Sequence, residues 1–195
     1  MNLHNHSILV CVCGGIAAYK VCDVVSKLAQ AKANVTVAMT PESLHFVGAT
    51  TFQALTANAV YTDLWTPAEL KDPNHIRLAQ HSDLILVAPC TANMMAKMAT
   101  GLADDVVSTS LVASDPRRVV IAPSMNAGMW AHPATQRNAK QLLDDGVQFI
   151  GPGEGWQACR TVGTGRMAEP AEIVEYISRK LAASPAQSES PHFTP

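Results

Sequence analysis

Short runs of consecutive apolar, often β-branched residues alternate along this chain with longer stretches in which apolar positions recur every three or four residues. Ile8–Cys13, Asn34–Met39, Asp83–Ala88 and Arg118–Ala122 are runs of the first kind, and Val147–Ile150 is a shorter fifth. They are apolar at successive positions rather than alternate ones, the pattern of strands covered on both faces. The longer stretches predict helices from Gly14-Gly15 to about Lys32, and over Asn93–Ala113, Pro133–Asp145 and Pro170–Ala183. Strands alternating with helices imply right-handed crossovers and a parallel sheet. The expected fold class is α/β, a three-layer doubly wound parallel sheet of Rossmann-like or flavodoxin-like type.

Three stretches break this rhythm. Ala57–Asn74 reads as a connection with weak helical character, and Gly151–Met167 holds five glycines without periodicity. Ser184–Pro195 is rich in Ser and Pro with Glu189 as its one charge, and is expected to be a disordered tail. The predicted organisation is one domain over residues 1–183, long enough to bury its own core, followed by that tail.

Composition narrows the partners. Net charge is -2, with no basic excess to meet a phosphate backbone, so a nucleic-acid partner is not expected. Charged residues make up 15% of the chain against roughly 25% in an ordinary soluble domain. Such a deficit suits either surface buried in an oligomer or an uncharged tail. The five cysteines (Cys11, Cys13, Cys22, Cys90, Cys159) are odd in number and form no C-x-x-C pair, which argues against a disulfide framework and a zinc site. They suit a reducing, cytoplasmic setting, with all but Cys159 read as small buried hydrophobes. The start, MNLHNHSILVCVCGG, has no cationic region ahead of its apolar run and does not read as a secretory signal. The most apolar stretch, Leu84–Ala103, is interrupted by Pro89, Asn93 and Lys97, so no membrane span is expected.

Candidate chemistry gathers where the strands end, the place where open α/β sheets bind ligands. Gly14-Gly15 opens GGIAAYK and lets backbone N–H groups approach an anion at a helix N-terminus, or simply makes a tight turn. The segment is neither G-x-G-x-x-G nor a P-loop. Thr40 ends the second strand and Ser43 follows; their hydroxyls suit a phosphate, and Ser43 equally suits a helix cap. Thr91 and Asn93 in APCTANMMAK offer polar groups to a planar heterocycle or its phosphate, or cap the helix that begins there. Asn126 in APSMNAGMW is an amide among Met and Trp and needs a partner, as a turn residue or a ligand reader. His75, expected just ahead of a short helix that also carries His81, is either a structural or solvated histidine or, being of the type that serves in this role, a general base. Cys159 lies in the glycine-rich stretch near Arg160 and Arg166, where it is either an incidental loop thiol or part of an active-site lid whose cations lower its pKa.

Taken in order, GGIAAYK, His75 before the third strand, APCTAN, PSMNAGMW and a late QAC…GTGRM resemble the homo-oligomeric flavin-containing cysteine decarboxylases, over about residues 7–182. The branch most resembled acts on 4'-phosphopantothenoylcysteine in coenzyme A biosynthesis. The resemblance implies FMN bound between subunits of a trimer, sometimes assembled into a dodecamer. It implies FMN contacts at Gly14, Gly15, Ile16, Thr40, Ser43, Pro89, Thr91 and Asn93. His75 would be the active-site base, Asn126 the reader of the substrate carboxylate, and Cys159 the cysteine of a flap over the substrate. Met129, Ala158, Arg160 and Arg166 would touch substrate beside Asn126. Leu84–Ala103 and Ile121–Ala139, each with a single charge (Lys97 and Arg137), would then be buried between subunits around FMN.

The implied chemistry has a physical logic. Direct loss of CO2 from a cysteine carboxylate leaves an unstabilised carbanion. Hydride removal from the carbon bearing sulfur gives a thioaldehyde, whose C=S group accepts the electrons as CO2 departs. Return of hydride to the ene-thiol, with Cys159 as proton donor, gives 4'-phosphopantetheine. Alternatives are an oxidative decarboxylase of a peptidyl C-terminal cysteine, a non-catalytic regulatory flavoprotein and a flavin prenyltransferase. Where the family commonly reads A-C-G-D, this chain reads A-C-R-T, so Arg160 stands for a glycine and is expected to stiffen the flap or add a phosphate contact. Because these decarboxylases are often fused to the ligase that makes their substrate, a separate phosphopantothenate–cysteine ligase is an expected partner.

Overall fold

The computed structural model describes residues 2–65 and 74–183. The predicted tail and part of the predicted connection lie outside the described residues.

The runs that read as doubly covered strands form the middle of one parallel sheet. Its strands are β1 (Ser7–Val12), β2 (Asn34–Met39), β3 (Val60–Tyr61), β4 (Leu84–Cys90), β5 (Val119–Pro123) and β6 (Gln148–Phe149). Their order is β3-β2-β1-β4-β5-β6, and every neighbouring pair is parallel. This is the Rossmann order, with its reversal between β1 and β4. Five strands were expected; the sixth, β3, is two residues inside the predicted connection, too short to show a period, and is held by pairing Val37 with Val60.

Strand side chains alternate between faces, and two cores result. Ile8, Val10 and Val12 of β1 pack with Val21, Val25 and Leu28 of α1 (Ala18–Gln30), Phe52 of α2 (Ala49–Thr56), and Ile173 and Ile177 of α8 (Pro170–Ala182). Leu9 and Cys11 point the other way. They meet a second layer built from α3 (Asn74–Gln80), α4 (Ala92–Thr100), α5 (Val106–Val112) and α7 (Pro133–Asp144), with a short α6 (Ala127–Ala131) preceding α7. The three-layer α/β reading therefore holds. Every residue of β4 and β5 is buried within the protomer. The low charge of the strand portions of Leu84–Ala103 and Ile121–Ala139 thus has an intramolecular cause, not the subunit contact expected for it.

Three boundaries differ from expectation. The single helix predicted over Asn93–Ala113 is two: Gly101, at φ 71°, ends α4, and the Asp105 carboxylate accepts the Ser108 N–H at 2.8 Å to start α5. Lys97, the lone charge of Leu84–Ala103, ties the pieces together through Asp104 and Asp105. His75 lies inside the first turn of α3 rather than ahead of it, and His81 falls just beyond its end. The aperiodic Gly151–Met167 stretch contains an antiparallel hairpin, β7 (Gly153–Trp156) and β8 (Val162–Arg166), standing apart from the main sheet.

Candidate active site

A cavity of about 920 Å³ opens at the carboxyl ends of β1 and β4, where the strand order reverses. Gly14, Gly15, Ile16, Thr40, Thr91 and Asn93 line one side. Asn126, Met129, Ala158, Cys159 and Arg166 line the other. Segments far apart in sequence thus converge because they all follow strands at one end of the sheet, except Ala158, Cys159 and Arg166, which the hairpin brings in. Ser43, Pro89, His75 and Arg160 do not line this cavity.

The two glycines have different physical reasons. A Cβ on Gly14 would come within 2.4 Å of the Glu42 Cβ, so packing against the turn Pro41–His45 excludes any side chain there. A Cβ on Gly15 would meet only ordinary contacts, 3.7 Å from Pro89 and Thr91. Gly15 keeps open a space that the protein itself does not fill. Ser43 is spent within that turn: it is fully buried and its hydroxyl donates to the Thr40 carbonyl at 2.7 Å. The structure displays a turn-closing role for it. Pro89 forms a cis peptide with Ala88, and its ring lies on the side to which a Gly15 Cβ would point.

Thr40 carries the clearest sign of a ligand. Its hydroxyl is buried on the cavity wall and has no hydrogen-bond partner. A buried orphan hydroxyl costs about 1–3 kcal/mol, so such a group implies something that bonds it. Beside it α1 begins without a side-chain cap; its Ala18 and Lys20 amides donate to the Gly15 and Ala17 carbonyls, and the positive end of the helix dipole faces the cavity end. A phosphate fits a hydroxyl donor beside that positive helix end. Thr91 both faces the cavity and caps α4, accepting the Met94 N–H at 3.2 Å.

On the opposite wall, Asn126 is exposed to the cavity rather than sunk among Met and Trp as its surroundings in sequence suggested. Its Oδ1 accepts the Gly128 N–H at 2.8 Å and so caps α6, while its Nδ2 donates to the Cys159 Sγ at 3.1 Å. The amide is at once a turn residue and a group aimed at the site. Cys159 sits at the tip of the β7–β8 hairpin. The Arg160 N–H donates to the Gln157 carbonyl and the Gln157 N–H to the Thr161 carbonyl, both at 2.9 Å. Arg160, at φ 64°, takes the left-handed position that closes such a three-residue loop.

Two glycines let the hairpin lie down on the Asn126 loop. A Cβ on Gly163 would come within 2.8 Å of the Ala127 Cβ, and one on Gly165 within 2.3 Å of the Met125 carbonyl. The Met125 N–H donates to the Gly165 carbonyl at 2.9 Å. Gln157, buried in this seam, accepts the Ala127 N–H at 3.1 Å and donates to the Gly163 carbonyl at 3.2 Å.

The Cys159 thiol is held below its usual range by hydrogen bonds from Thr161 first and Asn126 second. The expected cause, flanking arginines, is replaced by these neutral donors. Arg166 pairs instead with Glu169, and Glu169 takes Lys20 at 3.1 Å on both carboxylate oxygens. The buried Cys11, Cys13 and Cys90 thiols are pushed up, Cys13 to about 12, by desolvation. Sequence reasoning passed over Lys20, Glu169, Thr161 and Gln157. Lys20, Gln157 and Thr161 lie inside the quoted motifs, but Lys20 and Gln157 bond Glu169 and Ala127, which are remote in sequence.

His75 is half-buried on α3, which packs against α5. One protomer therefore does not bring it to Asn126 and Cys159. Among the described residues no group of three or more His, Cys, Asp or Glu could hold a metal ion, and no helix is long and apolar enough to cross a membrane.

A family model described as Flavoprotein matches residues 1–182. The coenzyme A biosynthesis bifunctional protein CoaBC of Bacillus subtilis (strain 168) is 48% identical over 180 residues, which are 92% of this chain and 44% of that protein. The chain thus spans about half the length of the curated relatives it matches. Among solved structures, a PPC decarboxylase mutant complexed with pantothenoylaminoethenethiol superposes with a TM-score of 0.83 at 30% identity, covering 91% of this chain and 98% of that one. The FMN binding protein AtHal3 gives 0.83 at 28% identity, covering 93% and 100%.

Proposed function

From the premise that this chain belongs to the flavoprotein family across residues 1–182, we propose that it binds FMN and decarboxylates 4'-phosphopantothenoylcysteine to 4'-phosphopantetheine, a step of coenzyme A biosynthesis. The observation that carries this reading is the Cys159 Sγ held 3.1 Å from the Asn126 Nδ2 above a cavity whose far wall ends in the unpartnered Thr40 hydroxyl.

Thr40 and the Gly15 loop ahead of α1 would hold the cofactor phosphate, and Thr91 and Asn93 polar edges beyond it. When bound, the flavin supplies a hydride acceptor for oxidation at the sulfur-bearing carbon and a hydride donor for the return step. Asn126 uses one of its two amide hydrogens on Cys159 and keeps the second for the substrate carboxylate. Cys159 then protonates carbon once CO2 has gone. A thiol with a lowered pKa is the better acid for that task. The neutral hydrogen-bond donors around it favour the thiolate left behind.

We assign this activity to a flavoprotein domain over residues 1–183, working in the cytoplasm as a homotrimer or an assembly of trimers, with a phosphopantothenate–cysteine ligase supplying its substrate. The assembly completes the site: His75, which lies away from the cavity of its own protomer, would reach the cavity of a neighbour and assist proton removal. The exposed side chains of Ile16, Tyr19 and Met129 at the cavity mouth offer the apolar surface such a contact needs.

The test is mass spectrometry of the product made from 4'-phosphopantothenoylcysteine by the yellow, flavin-loaded protein. Loss of CO2 alone is the expected result. Loss of CO2 together with two hydrogens would make the chain an oxidative decarboxylase, and a colourless protein without affinity for FMN would remove the flavin reading.

A further inference from the structure

The hairpin tip places against the thiol a hydroxyl to which the functional reading gives no task of its own beyond that of a neutral neighbour. The Thr161 Oγ1 lies 3.0 Å from the Cys159 Sγ, closer than the Asn126 amide at 3.1 Å. Both Cys159 and Thr161 are exposed, and the thiol's one further side-chain partner among the described residues is the Gln157 Oε1, to which the Sγ donates at 3.6 Å. Its orientation depends on these hydrogen bonds.

The backbone explains how the hydroxyl gets there. The turn Gln157–Thr161 closes through the Arg160 N–H to the Gln157 carbonyl and the Gln157 N–H to the Thr161 carbonyl. With Arg160 at φ 64°, the chain folds back so that residues 159 and 161 come together at the tip. Gln157 anchors the base of the turn to Ala127, beside Asn126. Thr161 and Asn126 thereby approach the same sulfur from two loops.

We propose that Thr161 is a positioning residue for Cys159, its hydroxyl and the Asn126 amide together orienting the thiol over the cavity and stabilising the thiolate that proton transfer leaves. In that step the S–H bond breaks, its proton goes to the substrate carbon, and the electron pair stays on sulfur. The Thr161 O–H and the Asn126 N–H then donate to a full negative charge, and such charge-assisted bonds are about twice as strong as neutral ones. A proton from water restores the thiol. The inference rests on the proposed decarboxylase reading for the task of Cys159, while the thiol's environment is testable without it.

The experiment follows the pH dependence of Cys159 alkylation by iodoacetamide in the flavin-loaded protein, read by peptide mass, for wild type, Thr161→Val and Thr161→Ser. Valine keeps the shape and removes the hydroxyl; serine keeps the hydroxyl. The expected result is an alkylation midpoint moved to higher pH in Thr161→Val, with the rate at neutral pH falling about three- to tenfold, and a near-wild-type profile in Thr161→Ser. Superimposable profiles for all three proteins would overturn the proposal, as would equal shifts in the valine and serine variants. None of these readouts requires turnover, so a wild-type protein that fails to decarboxylate would refute the function and leave this test standing.

Discussion

Arg160 shows how a single residue can carry a backbone cost at a site. A non-glycine residue in the left-handed region brings its Cβ against the following carbonyl and is disfavoured by roughly 1–2 kcal/mol. Arg160 adopts φ 64° because the three-residue turn needs that conformation at its last position, whatever residue occupies it. The side chain does not line the cavity, so it offers the site no compensating contact. Arg160→Gly is therefore expected to raise stability by about 1 kcal/mol, part of the relief being offset by the larger entropy of glycine in the unfolded chain. Thermal unfolding checks this, and a lowered melting temperature would mean that the arginine makes a stabilising contact. The resemblance marked this position as a glycine site, and the turn explains why. The same reading put Ser43 on the ligand, and its hydroxyl spends its one hydrogen on a local turn hydrogen bond. Sequence shows that a hydroxyl is present, but only geometry shows what it already bonds.

At the scale of elements, strands were legible and short segments were not. β1, β2, β4 and β5 are buried on both faces and announce themselves as apolar runs, whereas β3, β7 and β8 are short or glycine-rich and owe their form to partners distant in sequence. Glu169 is such a distant joint. It sits at the junction of β8 and α8 and takes Lys20 of α1 and Arg166 of β8. The Lys20 ammonium, chiefly by hydrogen bonding, holds the Glu169 carboxyl below its ordinary 4.5. A carboxyl lowered in the folded state stabilises the protein above its unfolded pKa and loses that contribution as pH falls through the folded value. Glu169 is 46% exposed, so solvent screening keeps the contribution small. Glu169→Gln is expected to cost up to about 1 kcal/mol at neutral pH, with the gap to wild type closing once pH drops below 4.5. Paired unfolding curves across that range measure it. A gap that stays constant with pH would assign the loss to packing instead of charge.

For the whole molecule, the decisive fact is that the residues read as one catalytic group do not meet in one protomer. Asn126 and Cys159 are 3.1 Å apart on one wall of the cavity, yet His75 lies on α3 and does not line it. Sequence order could not reveal this, because residues that act together need only be adjacent in the assembly. If His75 works on a neighbour's cavity, each site draws on two chains, and defects in different chains can complement one another. His75→Asn and Asn126→Asp homo-oligomers are each expected to be inactive. Unfolding and refolding them together in equal amounts gives mixed assemblies in which some neighbouring pairs combine an intact His75 with an intact Asn126. For a cyclic assembly with random mixing, recovery should approach about a quarter of the wild-type rate. A mixture no more active than its parents, despite demonstrated subunit exchange, would place His75 in the site of its own chain. That outcome would require α3 to move toward Asn126 within the protomer.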